Sequence, residues 1–164
     1  MCIRDRYIIH KKDPNAVIIT EAADRLVNPV QRYIQILSAS AEVAFQEKVL
    51  IALGVPPRYP HTGLGHIERG EKMLIIKDVH FFKLKRFIEK PELSDAKRYT
   101  DSKDFYWNAG EFVWRADSLL EELKKHAPDI YKNLERLENE SIENVYKDCL
   151  LYTSPSPRDR TRSR

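Results

Sequence analysis

AVIITEAADRLVNPVQRYIQILSASAEVAFQEKVLIALG, residues 16–54, reads as strand, helix and strand in turn. Residues 16–20 form a short β-branched apolar run, as a buried strand does. Residues 21–25 follow as a loop. Asn28-Pro29 predicts a helix start, with Asn28 as N-cap and Pro29 at the first helical position. Val30, Tyr33, Ile34, Leu37, Ala41 and Ala44 recur at helical spacing, which gives a helix over 29–47. Residues 48–54 make a second buried strand. Two strands joined by a crossover helix form a βαβ unit, so these strands should run parallel.

The pattern continues outward. Residues 55–65 hold three prolines and two glycines and must be a loop. Residues 65–70 are extended again. Residues 79–90 alternate from Phe82 to Ile88 as an amphipathic strand that Pro91 ends. Ser94 caps a short helix to about 102, with Ala96 and Tyr99 inward. Residues 112–114 form a strand, and Asp117 caps a helix carrying Leu119, Leu120 and Leu123. Pro128 opens another with Ile130, Tyr131, Leu134 and Leu137, and 141–147 add a turn or two. Strands alternating with helices indicate an α/β fold, a mixed sheet between helical layers.

The chain has 164 residues, 42% of them hydrophobic and 32% charged, enough for one domain with one core. No run of 18 apolar residues spans a membrane, and the N-terminus lacks the apolar stretch and cleavage site of a signal peptide. A cytoplasmic location is the expectation. The net charge of +3 invites a nucleic-acid reading, but its distribution opposes it. Residues 1–6 and 149–164 resemble translated adapter sequence and are expected to be non-native. Setting them aside turns the net charge to −1. The domain is then 7–148, an internal fragment of a longer protein. Cys2 and Cys149 fall in the excluded ends, so the remainder offers neither disulfides nor Cys-based zinc sites.

Four polar clusters lie in loops or at strand ends, where open α/β sheets bind ligands. Asp24, four residues beyond the first strand, can hold a hard cation such as Mg²⁺, although position alone favours a surface loop aspartate or a helix-approach cap. Residues 60–67, PHTGLGHI, place Gly63 and Gly65 where backbone N–H groups can approach a ligand closely. No Gly-Lys-Ser/Thr follows, so this is not a Walker loop, and a plain turn into a strand fits too. His61 and His66 have no third ligand at metal-site spacing. Glu89-Lys90-Pro91 joins a carboxylate suited to sugar hydroxyls with an ammonium suited to a phosphate. Both reach one ligand only if the strand twists or ends between them, and a solvated strand end fits the spacing as well. Finally, residues 107–110, WNAG, set Asn108 and Gly110 before a strand; an amide carries both donor and acceptor for a diol.

Taken in order, AADR at 22–25, PHTGLGHI at 60–67, FIEKP at 87–91 and WNAGEFVWRA at 107–116 resemble the sugar-phosphate nucleotidyltransferase family, and within it the mannose-1-phosphate guanylyltransferase branch. The resemblance covers about 13–148. It implies a Rossmann-like, GT-A-like mixed sheet flanked by helices, truncated here. It also implies GMP transfer from GTP to mannose 1-phosphate, giving GDP-mannose and pyrophosphate, with Mg²⁺ as cofactor. Asp24 would be a metal ligand and Lys90 would meet the sugar phosphate, both counted as catalytic. Thr62, Gly63 and Gly65 would wrap the sugar, Glu89 would bind its hydroxyls, and Asn108 and Gly110 would form its wall. The implied partners are GTP and mannose 1-phosphate, in a parent able to form homo-oligomers, with neither nucleic acid nor membrane.

Three departures stand out. Arg25 replaces the family's usual histidine; an arginine there could pair with Asp24 and compete with a metal, which weakens the assignment of Asp24. His66 stands where a tyrosine is common. The chain also holds neither the Gly-rich, Arg- and Lys-bearing loop for the triphosphate nor the later tryptophan–aspartate segment, so the fragment itself is expected to be inactive. Rival readings are a thymidylyl- or uridylyltransferase acting on glucose 1-phosphate, a non-catalytic nucleotidyltransferase-like binding subunit, and a basic nucleic-acid binder that depends on the two ends.

Overall fold

The computed structural model describes residues 3–141 and 144–145. In chain order the elements are α1 (Ile3–Lys12), β1 (Val17–Thr20), α2 (Val30–Glu47), β2 (Ile51–Val55), β3 (His66–Ile76), β4 (Val79–Ile88), α3 (Leu93–Asp101), β5 (Phe105–Arg115), α4 (Ala116–His126) and α5 (Pro128–Arg136). The expected α/β architecture is present, a sheet flanked by helices.

β5 organises the sheet. β2 lies along one of its edges, while β3 and then β1 share the other, and β4 pairs with β3. β1 and β2 do run in the same direction, as a crossover helix requires. They are not neighbours, however, because β5 is inserted antiparallel between them. Every described pairing is accordingly antiparallel.

Side-chain alternation on β5 sorts the layers. Trp114 and Ile18 pack with Ala116, Ile9, Phe112 and Leu119, so α1 and α4 cover one face. α2 packs against β1 and β5 and meets the hairpin β3–β4, where Ala39 and Val43 bury against Val79 and Phe81. A third group, Tyr7, Leu120 and Leu134, joins α1, α4 and α5. The N–H groups opening α4 find partners in the loop before β1: Ala116 donates to the Ala16 carbonyl and Asp117 to that of Pro14.

Several local expectations are corrected. Pro29, with ψ of 137°, is itself the extended N-cap of α2, and the helix begins at Val30, so Asn28 does not cap it. The buried face of α2 is Ala39, Ser40, Val43 and Ala44, small residues that let the helix close on the sheet. Val30 and Ile34, from the apolar series, are exposed. Lys48 ends α2 in the left-handed conformation, so the second strand starts at Ile51 rather than at 48. Ser94 and Asp117 lie inside their helices, whose N-caps are Glu92 and Arg115. Asp117 instead accepts a bond from its neighbour's N–H and holds Arg115, and these contacts keep its carboxyl below the usual range, Arg115 contributing most. Ala96 and Tyr99 are buried as expected.

β3 runs on to Ile76, well past the extended segment expected at 65–70, and turns into β4 through Lys77 and Asp78, at φ of 49° and 59°. Two consecutive positive φ values make this a type I′ hairpin. Arg32 and Gln35 of α2 donate to the Asp78 and Lys77 carbonyls, clamping the tip. β4 stops at Ile88, two residues earlier than its pattern suggested. Residues 3–12 are helical although 1–6 carried no expectation of structure, and the Arg6 guanidinium lies 4.8 Å over the Trp114 ring. The expected tail at 149–164, both cysteines and most of the turn at 141–147 lie outside the described residues.

Candidate functional site

The stop at Ile88 decides how Glu89 and Lys90 are presented. Lys90 takes φ of 42°, which reverses the backbone and breaks the two-sided alternation of a strand. Its Nζ then lies 3.3 Å from Oε1 of Glu89. The acid and the base are therefore on one side, the condition for reaching a common ligand.

Gly65 is where the clusters meet. A Cβ built on it would stand 3.1 Å from Glu89 Oε2, 3.6 Å from Asn108 Cβ and 3.8 Å from the Ile88 carbonyl. The Gly65 carbonyl also accepts the Asn108 N–H at 2.8 Å. A side chain here would fill the space in front of the carboxylate; hydrogen keeps it open. The preceding loop is shaped by His61, whose Nδ1 accepts the Gly63 N–H at 3.0 Å, with half-buried Thr62 between them.

Asn108 and Gly110 lie within β5, not in a turn before it. Ala52 pairs with Phe112 and Gly54 with Asn108, so Ala109, Gly110 and Glu111 bulge opposite Leu53 alone. Gly110 takes φ of 70° and donates its N–H to Asn108 Oδ1 at 3.0 Å. Past the bulge, Thr20 Oγ1 accepts the Phe112 N–H at 3.1 Å and restores the ladder.

The first cluster reaches this bulge through Arg25. Its Nη1 donates to Glu111 Oε1 at 2.9 Å, and its Nη2 is 3.5 Å from where a Gly110 Cβ would sit. Arg25 thus pairs with Glu111 rather than with Asp24. Asp24 stands exposed in a turn of the same loop. No grouping of three or more metal-ligating side chains occurs among the described residues. A single open carboxylate suits Mg²⁺ as that ion is held beside substrate, by one or two carboxylates with water and phosphate oxygens completing the shell.

The burial and bonding of three residues escaped the sequence reading. Glu111 is a carboxylate only 5% exposed, in the middle of β5; an acid directly after a bulge glycine was the available signal. Tyr33 donates to Glu21 Oε1 at 2.5 Å, and burial first, then Glu21 and Glu111, pushes its hydroxyl pKa well up. His66 is fully buried between β4 and β5. Its Nδ1–H donates to the Leu64 carbonyl at 3.1 Å, which leaves Nε2 bare and without a partner among the described residues. Burial lowers its pKa below 6.5. It is a structural imidazole supporting the glycine turn, and a metal pair with His61 finds no third ligand.

A family model described as nucleotidyl transferase matches residues 5–149. Among curated proteins, the chain is 37% identical over 120 residues to a mannose-1-phosphate guanylyltransferase of Salmonella montevideo, covering 72% of this chain and 25% of the relative. It is 35% identical over 127 residues to the protein of that name in Escherichia coli, covering 77% and 26%. Among solved structures, the mannose-1-phosphate geranyltransferase of Thermus thermophilus superposes with a TM-score of 0.78 at 27% identity, over 89% of this chain and 42% of that one. The mannose-6-phosphate isomerase of Helicobacter pylori gives a TM-score of 0.66 at 34% identity, over 80% and 48%. The chain spans about a quarter of the length of the curated relatives it matches.

Proposed function

The chain belongs to the nucleotidyl transferase family, and from that membership we propose that it forms the sugar-phosphate side of an enzyme transferring GMP from GTP to mannose 1-phosphate. The observation that carries this reading is the meeting of Glu89, Asn108 and the double-glycine turn around Gly65. Glu89 accepts hydrogen bonds from the sugar hydroxyls. Asn108, its oxygen committed to Gly110, directs its amide N–H groups to the same sugar. Lys90, turned beside Glu89, neutralises the phosphate as a point charge. Thr62 and the backbone of Gly63 and Gly65 close the loop over the ring.

A phosphate oxygen of the sugar attacks the α-phosphorus of GTP. The new P–O bond gives GDP-mannose, and the bond from the α-phosphorus to the bridging oxygen breaks, so pyrophosphate leaves with the electron pair. The residues contribute positioning and charge neutralisation rather than covalent catalysis. Mg²⁺, where bound by Asp24, would supply charge stabilisation on the phosphates. The Arg25–Glu111 pair leaves the Asp24 carboxylate open to that role and weighs against a purely non-catalytic subunit.

Calorimetric titration of the chain with mannose 1-phosphate tests the reading. Binding that Glu89→Gln weakens at least about tenfold, with mannose 6-phosphate bound more weakly, supports it. Equal binding of both sugars, or indifference to Glu89→Gln, refutes it. The chain alone is expected to form no GDP-mannose from GTP, since its residues include no Gly-rich triphosphate loop.

A further inference from the structure

We propose that Arg25 is a positioning residue: through Glu111 it fastens the loop of residues 21–29 to the bulge of β5, and so fixes where Asp24 stands relative to the sugar wall. The loop contains no regular secondary structure and all its residues but Val27 are exposed. Burial therefore cannot hold it. Side-chain ties run inward from Arg25 to Glu111 and from Tyr33 to Glu21. Both converge on one buried carboxylate, because Glu111 also acts on the Tyr33 hydroxyl.

The strength of the tie follows from burial. The Glu111 side chain is 7% exposed and that of Arg25 39%. A carboxylate so enclosed loses its hydration and needs a cation close by, whereas a pair exposed on both sides would be worth little. The bulge sets the geometry. Three residues opposite one push Glu111 out of strand register, and Gly110 supplies the left-handed φ of 70° at the bulge, within ordinary contact distance of Arg25 Nη2. The acid and Asn108 thus belong to one rigid bulge. Tying Arg25 to it ties Asp24, the adjacent residue, to the strand that carries the sugar wall. That the held carboxylate faces a cation rests on the proposed function; that the loop is held does not.

The experiment compares the chain with four variants by amide hydrogen exchange and by Mn²⁺ electron paramagnetic resonance in the presence of mannose 1-phosphate. Arg25→Ala and Glu111→Gln are expected to speed exchange of residues 22–27 about tenfold, with α4 and β5 residues unchanged. If a lone buried charge prevents folding, the double replacement Arg25→Met with Glu111→Met removes both charges at once and must still release the loop. The swap Arg25→Glu with Glu111→Arg restores slow exchange if the pair itself is the tie. In the second measurement, Arg25→Ala weakens Mn²⁺ binding about tenfold and the swap recovers it, a recovery that lost packing alone would not give. Unchanged loop exchange in the folded Arg25→Ala or double variant overturns the proposal. A chain that binds no Mn²⁺ while the loop still responds to Arg25 overturns the metal role of Asp24 and leaves the fastening established.

Discussion

At Gly65 the missing side chain matters more than any that is present. A methyl group there would sit 3.1 Å from Glu89 Oε2, the mobile end of a flexible side chain. Glu89 would swing aside at small cost, so Gly65→Ala should lower stability by less than about 1 kcal/mol. Mannose 1-phosphate binding should nonetheless fall at least about tenfold, because the displaced carboxylate loses its hydrogen bonds to the sugar. Thermal unfolding and calorimetric titration on the same variant separate the two effects. His66 acts on stability instead. Its pKa is lowered from 6.5 by burial. Well above pH 6.5 the imidazole is neutral in folded and unfolded chains, and stability is unaffected by it. As pH falls below 6.5 the unfolded chain takes up the proton first, so stability declines until the folded pKa is passed. His66→Asn keeps a donor for the Leu64 carbonyl without the titration. Urea unfolding from pH 7 to about pH 5 should show a shallower loss for the variant.

Among the elements, the hairpin β3–β4 carries the acid–lysine doublet at its open end and is pinned at its closed end by α2. Asp78 occupies the second positive-φ position of its turn, where glycine is unstrained. Its side chain faces Arg32 at 3.7 Å while 84% exposed, an ion pair worth at most a few tenths of a kcal/mol. The clamp from Arg32 goes to the Asp78 carbonyl, which glycine retains. Relief of the left-handed strain therefore wins, and Asp78→Gly should stabilise the chain by about 0.5–1 kcal/mol, read as a higher urea midpoint at unchanged slope. Further along the hairpin, Lys85 first and Arg86 second hold the Glu68 carboxyl below its usual range, each at 2.5 Å. That pairing supports β3 close to His66.

At the scale of the molecule, large apolar side chains of α2 and of the β2 segment stand exposed among the described residues. Val30, Ile34 and Phe45 of α2, Leu50 before β2 and Val55 within it are all 44% exposed or more. β2 pairs with β5 alone among the described residues, so its other edge offers open hydrogen-bonding groups beside Leu50 and Val55. An open edge next to exposed apolar side chains drives self-association. Light scattering after size exclusion should show a mass that rises with concentration, and Val55→Lys with Phe45→Glu should reduce it. A monodisperse monomer at all concentrations would contradict this account. No described helix is long and apolar enough to cross a membrane.

What the residues themselves determined was the local grammar: a β-branched run for β1, an apolar run for β2, helical spacing for α2, Pro128 opening α5, and four short motifs in an order that fixed the family. These signals arise within a few residues and survive without tertiary context. The insertion of β5 between β1 and β2 was invisible, because strand adjacency depends on partners some ninety residues apart in sequence. The K-D turn escaped because a hairpin closed over α2 tolerates residues that a free hairpin disfavours. Glu89 and Lys90 could be named from sequence, but only the left-handed turn at Lys90 brought them to one side. Arg25, suspected of facing Asp24, was drawn instead to the buried Glu111, since an enclosed carboxylate attracts a guanidinium more strongly than a hydrated one does.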